Sequence, residues 1–167
     1  KGDFYAESVI LASGGFESNE EMRSKYLGDH WKFAKVRGTP NNTGDGLQMA
    51  LDIGAAFYGN YNSCHATPMD LHMKDYGNLD LDPIERKKYR KICYFLGIMI
   101  NANGKRFLDE GKNFRNYTYA QYGARVLEQP GHFAWQVFDN KVIDLLYDEY
   151  FFHDAYFVEA NTLEELI

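Results

Sequence analysis

The sequence predicts an α+β fold, and three observations carry that reading. Strand-like runs and helix signatures are interleaved without a regular βαβ repeat. Asn103-Gly104 sits between two apolar runs, a strong hairpin signal. Capping patterns recur along the chain, at Ser18/Glu21, Thr43, Asp139 and Thr162/Glu165.

Element by element, Ser8–Ala12 is mostly apolar, as a strand buried on both faces would be. The Ser18/Glu21 capping box predicts a helix through about Leu27, ended by Gly28. Residues 29–42 lack a steady period and read as loop. Thr43 is placed to cap a helix over roughly 44–53, with Leu47, Ala50 and Leu51 on one face and Gly54 at its end. "AAFYG" predicts a short strand, and residues 60–92 a long irregular stretch, either functional or partly disordered. "CYFLGIMINANGKRFLDE" predicts a hairpin. A helix is expected from about 114 to 127, with Tyr117, Ala120, Ala124 and Leu127 at helical spacing. "HFAWQVFD" reads as a strand, followed by a helix capped by Asp139 and carrying Val142, Leu145 and Leu146. Thr162 and Glu165 open a last helix, and together with a start lacking methionine they predict an internal piece of a longer protein.

The formal charge of −6 argues against nucleic acid or an anionic membrane as the main partner. No apolar run approaches the roughly 20 residues that span a bilayer, and no signal peptide opens the chain. Cys64 and Cys93 lack metal-type spacing and are expected as free thiols, which points to a cytoplasmic location. The 13 tyrosines and 12 phenylalanines are expected in core and pocket walls.

Four stretches could carry chemistry. In "ASGGF" the glycines let backbone approach either a ligand or another segment, and a plain tight turn fits equally. No G-x-G-x-x-G fingerprint is present. In "NNTGDGLQMALDIGA", Gly44 and Gly46 leave amides accessible at a helix start, while Asp45 is explained as well by dipole stabilisation. His65, in "NSCHATPMD", is a pocket or surface residue; with His72 it makes no convincing metal pair. In "GKRFLDEGKNFRNYTYA" the charges are either an exposed surface or include an arginine facing an anionic substrate, able to orient a carboxylate or pass a proton.

Taken in order, "VILASGGF", "NTGDGLQMALDIGA", "CHATP" and "NGKRFLDEGKNFR" resemble successive motifs of the FAD-dependent fumarate reductase/succinate dehydrogenase flavoprotein family, over nearly the whole chain. Within it, "AKVRGTPNNTGDG" and "DEGKNFRNYTYAQYG" look most like the tricarballylate dehydrogenase branch, which oxidises a tricarboxylate to cis-aconitate. Relatives of the fumarate reductase, urocanate reductase or ketosteroid dehydrogenase type, and a stand-alone anion-binding module, are the alternatives.

The resemblance implies roles. Ser13, Gly14 and Gly15 would pack against FAD, and Thr43, Gly44, Asp45 and Gly46 would approach it through backbone. His65 would bind a substrate carboxylate, with Thr67, in a motif usually written His-Pro-Thr that reads His65-Ala66-Thr67-Pro68 here. Arg115 would exchange a proton with substrate carbon while the flavin exchanges the hydride. Its spacing from Gly104 is one residue longer than usual, which leaves Phe114 at the unadjusted position. Tyr89 and Arg90 stand about where fumarate reductases carry Thr-Glu; a cation there, with Arg37, suits a substrate with one more carboxylate. Residues 1–58 would then be part of an FAD-binding domain and 59–167 a substrate-capping domain. The family's Gly-rich FAD segment would precede residue 1, and its second histidine, second arginine and closing FAD segment would follow residue 167. The implied partners are the carboxylate, the remainder of the FAD domain and an electron acceptor; this piece alone would be inactive and hold no FAD.

Overall fold

The computed structural model describes residues 2–166. It contains four α-helices, α1 (Glu20–Leu27), α2 (Asp45–Asp52), α3 (Arg115–Leu127) and α4 (Leu163–Leu166), and two strands, β1 (Ile98–Asn101) and β2 (Ala134–Val137). Short 3-10 turns join them. The strands pair antiparallel, with Ile98 opposite Val137 and Asn101 opposite Ala134. This is the mixed helix and small-sheet arrangement that the alternation of patterns predicts.

Several helix starts differ in detail from the capping expectations. At α1 the cap is Asn19, whose side chain accepts the Met22 N–H, while Ser18 Oγ donates to Thr39 O at 2.5 Å. Gly28, at φ 115°, ends the helix as expected. At α2 the cap is Gly44 in the left-handed region; Thr43 Oγ1 instead donates to the Asp45 carboxylate at 3.0 Å. Asp139 accepts the Lys141 N–H, but the helix that follows is 3-10. At α4 Thr162 Oγ1 accepts the Glu165 N–H, and the Glu165 carboxylate reaches back to Asn161 N.

Three strand expectations are corrected. Ser8–Ala12 is unpaired among the described residues, with Val9 77% and Ile10 92% exposed. Its apolar character on both faces has no sheet neighbour here to satisfy it. "AAFYG" is likewise exposed and irregular. The return arm of the hairpin is one bridge, Ile100 to Arg106, beyond a turn in which Asn101 Oδ1 accepts the N–H groups of Asn103 and Lys105. A carboxylate takes the place of a second strand. Buried Glu110 accepts the Met99 N–H at 2.6 Å and pairs with Arg106 through its other oxygen. An unpaired strand amide in that position would be costly, so the side chain completes the edge.

The core has two parts. Ile92, Tyr94, Met99 and Tyr122 form the first, with Phe107, Leu108, Tyr119, Val126 and Ala134 packed against it. Met73, Tyr89 and Phe152 form the second, so the irregular stretch 60–92 is anchored rather than loose. Each fully buried large side chain contributes about 1.5–3 kcal/mol. The buried face of α3 is Thr118, Tyr122 and Gly123, rotated from the expected stripe; Tyr117 is 71% exposed. Small residues at 118 and 123 admit neighbouring backbone and hydroxyls, which wins over the larger aromatic at 117.

Candidate active site

Two glycine-bearing segments meet first. Gly44 N donates to Gly15 O at 3.1 Å, and Ser18 N to Asn42 O at 2.9 Å. A Cβ on Gly46 would overlap Ser13 Oγ, and one on Gly44 would overlap Met22 Sδ. Gly14 and Gly44 both have positive φ, 82° and 84°. Thus the glycines at 44 and 46 make room for this chain's own side chains. Ser13 and Gly14 stay exposed beside the start of α2, where no side chain caps the first-turn amides. Those amides lie at the positive end of a helix dipole, with the Asp45 carboxylate beside them.

A ribbon then carries His65 into the structure. Ala66 N donates to Ala120 O at 2.7 Å, and Gly123 N to Ala66 O at 3.0 Å. A Cβ on Gly123 would stand 2.6 Å from the Ala66 carbonyl carbon, so only glycine allows this approach. Further along, Asp70 N donates to Tyr89 O and Lys91 N to Pro68 O, and Met69 bridges Arg90. Residues 65–70 therefore run between α3 on one side and the segment bearing Arg90 on the other. His65 is exposed, Thr67 half-buried.

Arg115 is the first residue of α3. Its carbonyl accepts the Thr118 hydroxyl at 3.3 Å and the hydroxyl of fully buried Tyr94 at 3.5 Å, which ties the helix start to the core. Its guanidinium carbon lies 5.7 Å from the Tyr119 ring centroid and 5.9 Å from that of Tyr147. The His65 ring meets the same Tyr119 ring edge-on at 5.2 Å. His65 and Arg115, 50 positions apart, thus share one aromatic neighbour. Aromatic faces hold a guanidinium by cation–π attraction while leaving its N–H groups for a ligand.

Arg90 is engaged elsewhere: its Nε donates to Glu149 Oε1 at 3.0 Å, and Nη2 reaches the same oxygen. Burial pushes the Arg37 guanidinium below its ordinary value, the Arg90 charge pushes the same way, and Glu149 opposes both. Burial likewise raises the Cys93 thiol, whose sulfur accepts the Tyr147 N–H at 3.5 Å. Cys64 is exposed and free.

Tyr119, Tyr147 and Glu149 were not legible as site residues. Tyr119 had a signal, since it lies four residues after Arg115 and shares its helix face. Glu149 meets Arg90 across 59 positions, and no local pattern announces that pairing.

A mixed helix and small-sheet fold in which two glycine-bearing segments pair at a helix start, and His65 and Arg115 share one aromatic neighbour, is the class these features define. The chain belongs to the FAD binding domain family, whose model matches residues 2–157. It is 33% identical over 140 residues to a 3-oxosteroid 1-dehydrogenase of Mycobacterium tuberculosis, covering 81% of this chain and 23% of that protein. It is 32% identical over 138 residues to a fumarate reductase (cytochrome) of Shewanella frigidimarina, covering 82% of this chain and 21% of that protein. The open conformation of a flavocytochrome c3 fumarate reductase superposes with a TM-score of 0.50 at 28% identity, over 84% of this chain and 22% of that one. The chain thus spans between a fifth and a quarter of the length of these relatives. No helix among the described residues is long and apolar enough to cross a membrane.

Proposed function

We propose that this chain is part of an FAD-dependent oxidoreductase acting on the CH–CH bond of a di- or tricarboxylate, tricarballylate-like in its preference. The observation that carries the reading is the convergence of His65 and Arg115 on Tyr119. His65 and Thr67 anchor a substrate carboxylate, and Arg115 exchanges the proton at the carbon beside the one that exchanges hydride. Arg90 and Arg37 serve a further carboxylate. Residues 1–58 belong to the FAD-binding domain, and residues 59–167 close over the flavin as a capping domain and exclude water.

The residues present fit an FAD edge. Amides without a side-chain cap at the α2 start, with Ser13, Gly14 and Gly15 alongside, offer donors to a polar cofactor rim, and Thr43, Gly44, Asp45 and Gly46 shape that corner. When bound, FAD supplies the hydride acceptor or donor. The exposed apolar run at Val9–Leu11 suits pairing with the remainder of the FAD domain. An electron acceptor completes the cycle, and this piece alone is inactive.

The similarity to a 3-oxosteroid 1-dehydrogenase favours a second reading, a CH–CH dehydrogenase for a neutral ring ketone. The cationic residues Arg115, Arg90 and Arg37, with His65 as a further hydrogen-bonding group, weigh toward carboxylates. The test is flavin bleaching or reoxidation in the intact protein with succinate or fumarate, propane-1,2,3-tricarboxylate, and a 3-oxosteroid. Turnover with a carboxylate is expected; turnover with the steroid alone overturns the proposal.

A further inference from the structure

Among the described residues, the Arg115 guanidinium has no carboxylate within salt-bridge distance. Two rings lie beside it instead, with centroids 5.7 Å (Tyr119) and 5.9 Å (Tyr147) from the guanidinium carbon. Tyr119 arrives with the helix, one turn after Arg115. Tyr147 belongs to a separate segment, so its place beside Arg115 has to be built by tertiary contacts.

Two consecutive buried residues build it. The Cys93 sulfur accepts the Tyr147 N–H at 3.5 Å, and the Tyr94 hydroxyl donates to the Arg115 carbonyl at 3.5 Å. Cys93 and Tyr94 are both fully buried. One residue of a rigid pair thus holds Tyr147, and the next holds Arg115. The segment that follows Tyr147 is fastened as well. Cys93 N donates to the Tyr150 hydroxyl at 2.8 Å, and that hydroxyl donates to Gln136 Oε1 on β2 at 2.6 Å. Lys91 Nζ donates to the Glu149 carbonyl at 2.7 Å, and Arg90 Nε to the Glu149 carboxylate at 3.0 Å. Yet the Tyr147 ring stays 37% exposed, so filling the core does not account for it. A carboxylate partner would hold Arg115 by the N–H groups that face a ligand. An aromatic face attracts the cation and leaves those groups free.

We infer that Tyr147 is a positioning residue for the proton transfer: its ring holds the Arg115 guanidinium in place on the frame set by Cys93 and Tyr94. This deepens the proposed function and rests on it, since a small misplacement of the transferring group is costly in rate. Tyr119 also carries the His65 contact, whereas the Tyr147 contact is to Arg115. Loss of the Tyr147 ring therefore lowers kcat and spares carboxylate anchoring.

The test is steady-state kinetics of the intact, FAD-loaded protein on the fastest of succinate, fumarate and propane-1,2,3-tricarboxylate. Tyr147→Leu is expected to lower kcat about 3- to 30-fold, the span of a cation–π contact from exposed to desolvated, with KM within about twofold. Tyr147→Phe keeps the ring face and restores kcat to within about twofold of wild type. In an Arg115→Ala background Tyr147→Leu brings no further fall, because the ring acts through that guanidinium. FAD content and thermal unfolding verify the fold; should the Leu variant fail either, Tyr147→Met is read in its place. Unchanged kcat in Tyr147→Leu, an equal loss in Tyr147→Phe, or a further fall on top of Arg115→Ala overturns the positioning role. A large fall in Arg115→Ala beside an unchanged Tyr147→Leu removes this inference and leaves the proposed function standing. Wild-type turnover in Arg115→Ala removes both.

Discussion

His65 and Arg115 stand against the same ring: the imidazole meets Tyr119 edge-on at 5.2 Å, and the guanidinium carbon lies 5.7 Å from its centroid. Two backbone hydrogen bonds between Ala66 and α3 hold this arrangement. Its consequences can be measured one contact at a time.

Gly123 is the point where the His65 ribbon touches α3. Gly123→Ala would place a methyl 2.6 Å from the Ala66 carbonyl carbon and 2.8 Å from Thr67 N, both backbone atoms. Overpacking of this kind costs about 1–3 kcal/mol. Urea unfolding should show that loss, and the KM for the carboxylate should rise because His65 is displaced with the ribbon.

Gly44 couples the two glycine segments. In Gly44→Ala the left-handed φ of 84° alone costs about 1–2 kcal/mol, and the new methyl also overlaps Met22 Sδ. A lower ratio of flavin to protein absorbance in the intact protein is expected. Full FAD occupancy would show that the 43–46 corner is not part of the cofactor edge.

Glu110 makes stability depend on acid. Burial acts to raise its carboxyl, but the Arg106 hydrogen bonds and the Met99 N–H outweigh this and hold it below its ordinary value. The sign follows: a lowered folded-state value contributes stability above the unfolded value of about 4.3, and that contribution is lost as pH falls through the folded value. Glu110→Gln should be less stable at neutral pH by about 1–3 kcal/mol, with the difference from wild type shrinking below about pH 4. Chemical unfolding across that range checks it.

Much of the helical frame was legible because caps and glycine stops are local. Asn19 rather than Ser18 caps α1 because Ser18 is drawn to Thr39 O, a contact 21 positions away. Ser8–Ala12 read as a strand because composition reports burial, while pairing needs neighbours that the described residues do not provide. The hairpin return arm was misjudged because Glu110, by side chain, does what a strand would do by backbone. For the candidate site, the ribbon and the arginine were legible as motifs. The Arg90–Glu149 pairing and the Tyr147 ring beside Arg115 arise only from tertiary approach.

The central claim, that Arg115 passes the proton on a face shared with His65, is tested most directly by Arg115→Ala in the intact protein. Steady-state turnover on the best carboxylate should fall at least about 100-fold, with FAD content and thermal stability near wild type. Turnover close to wild type would contradict it.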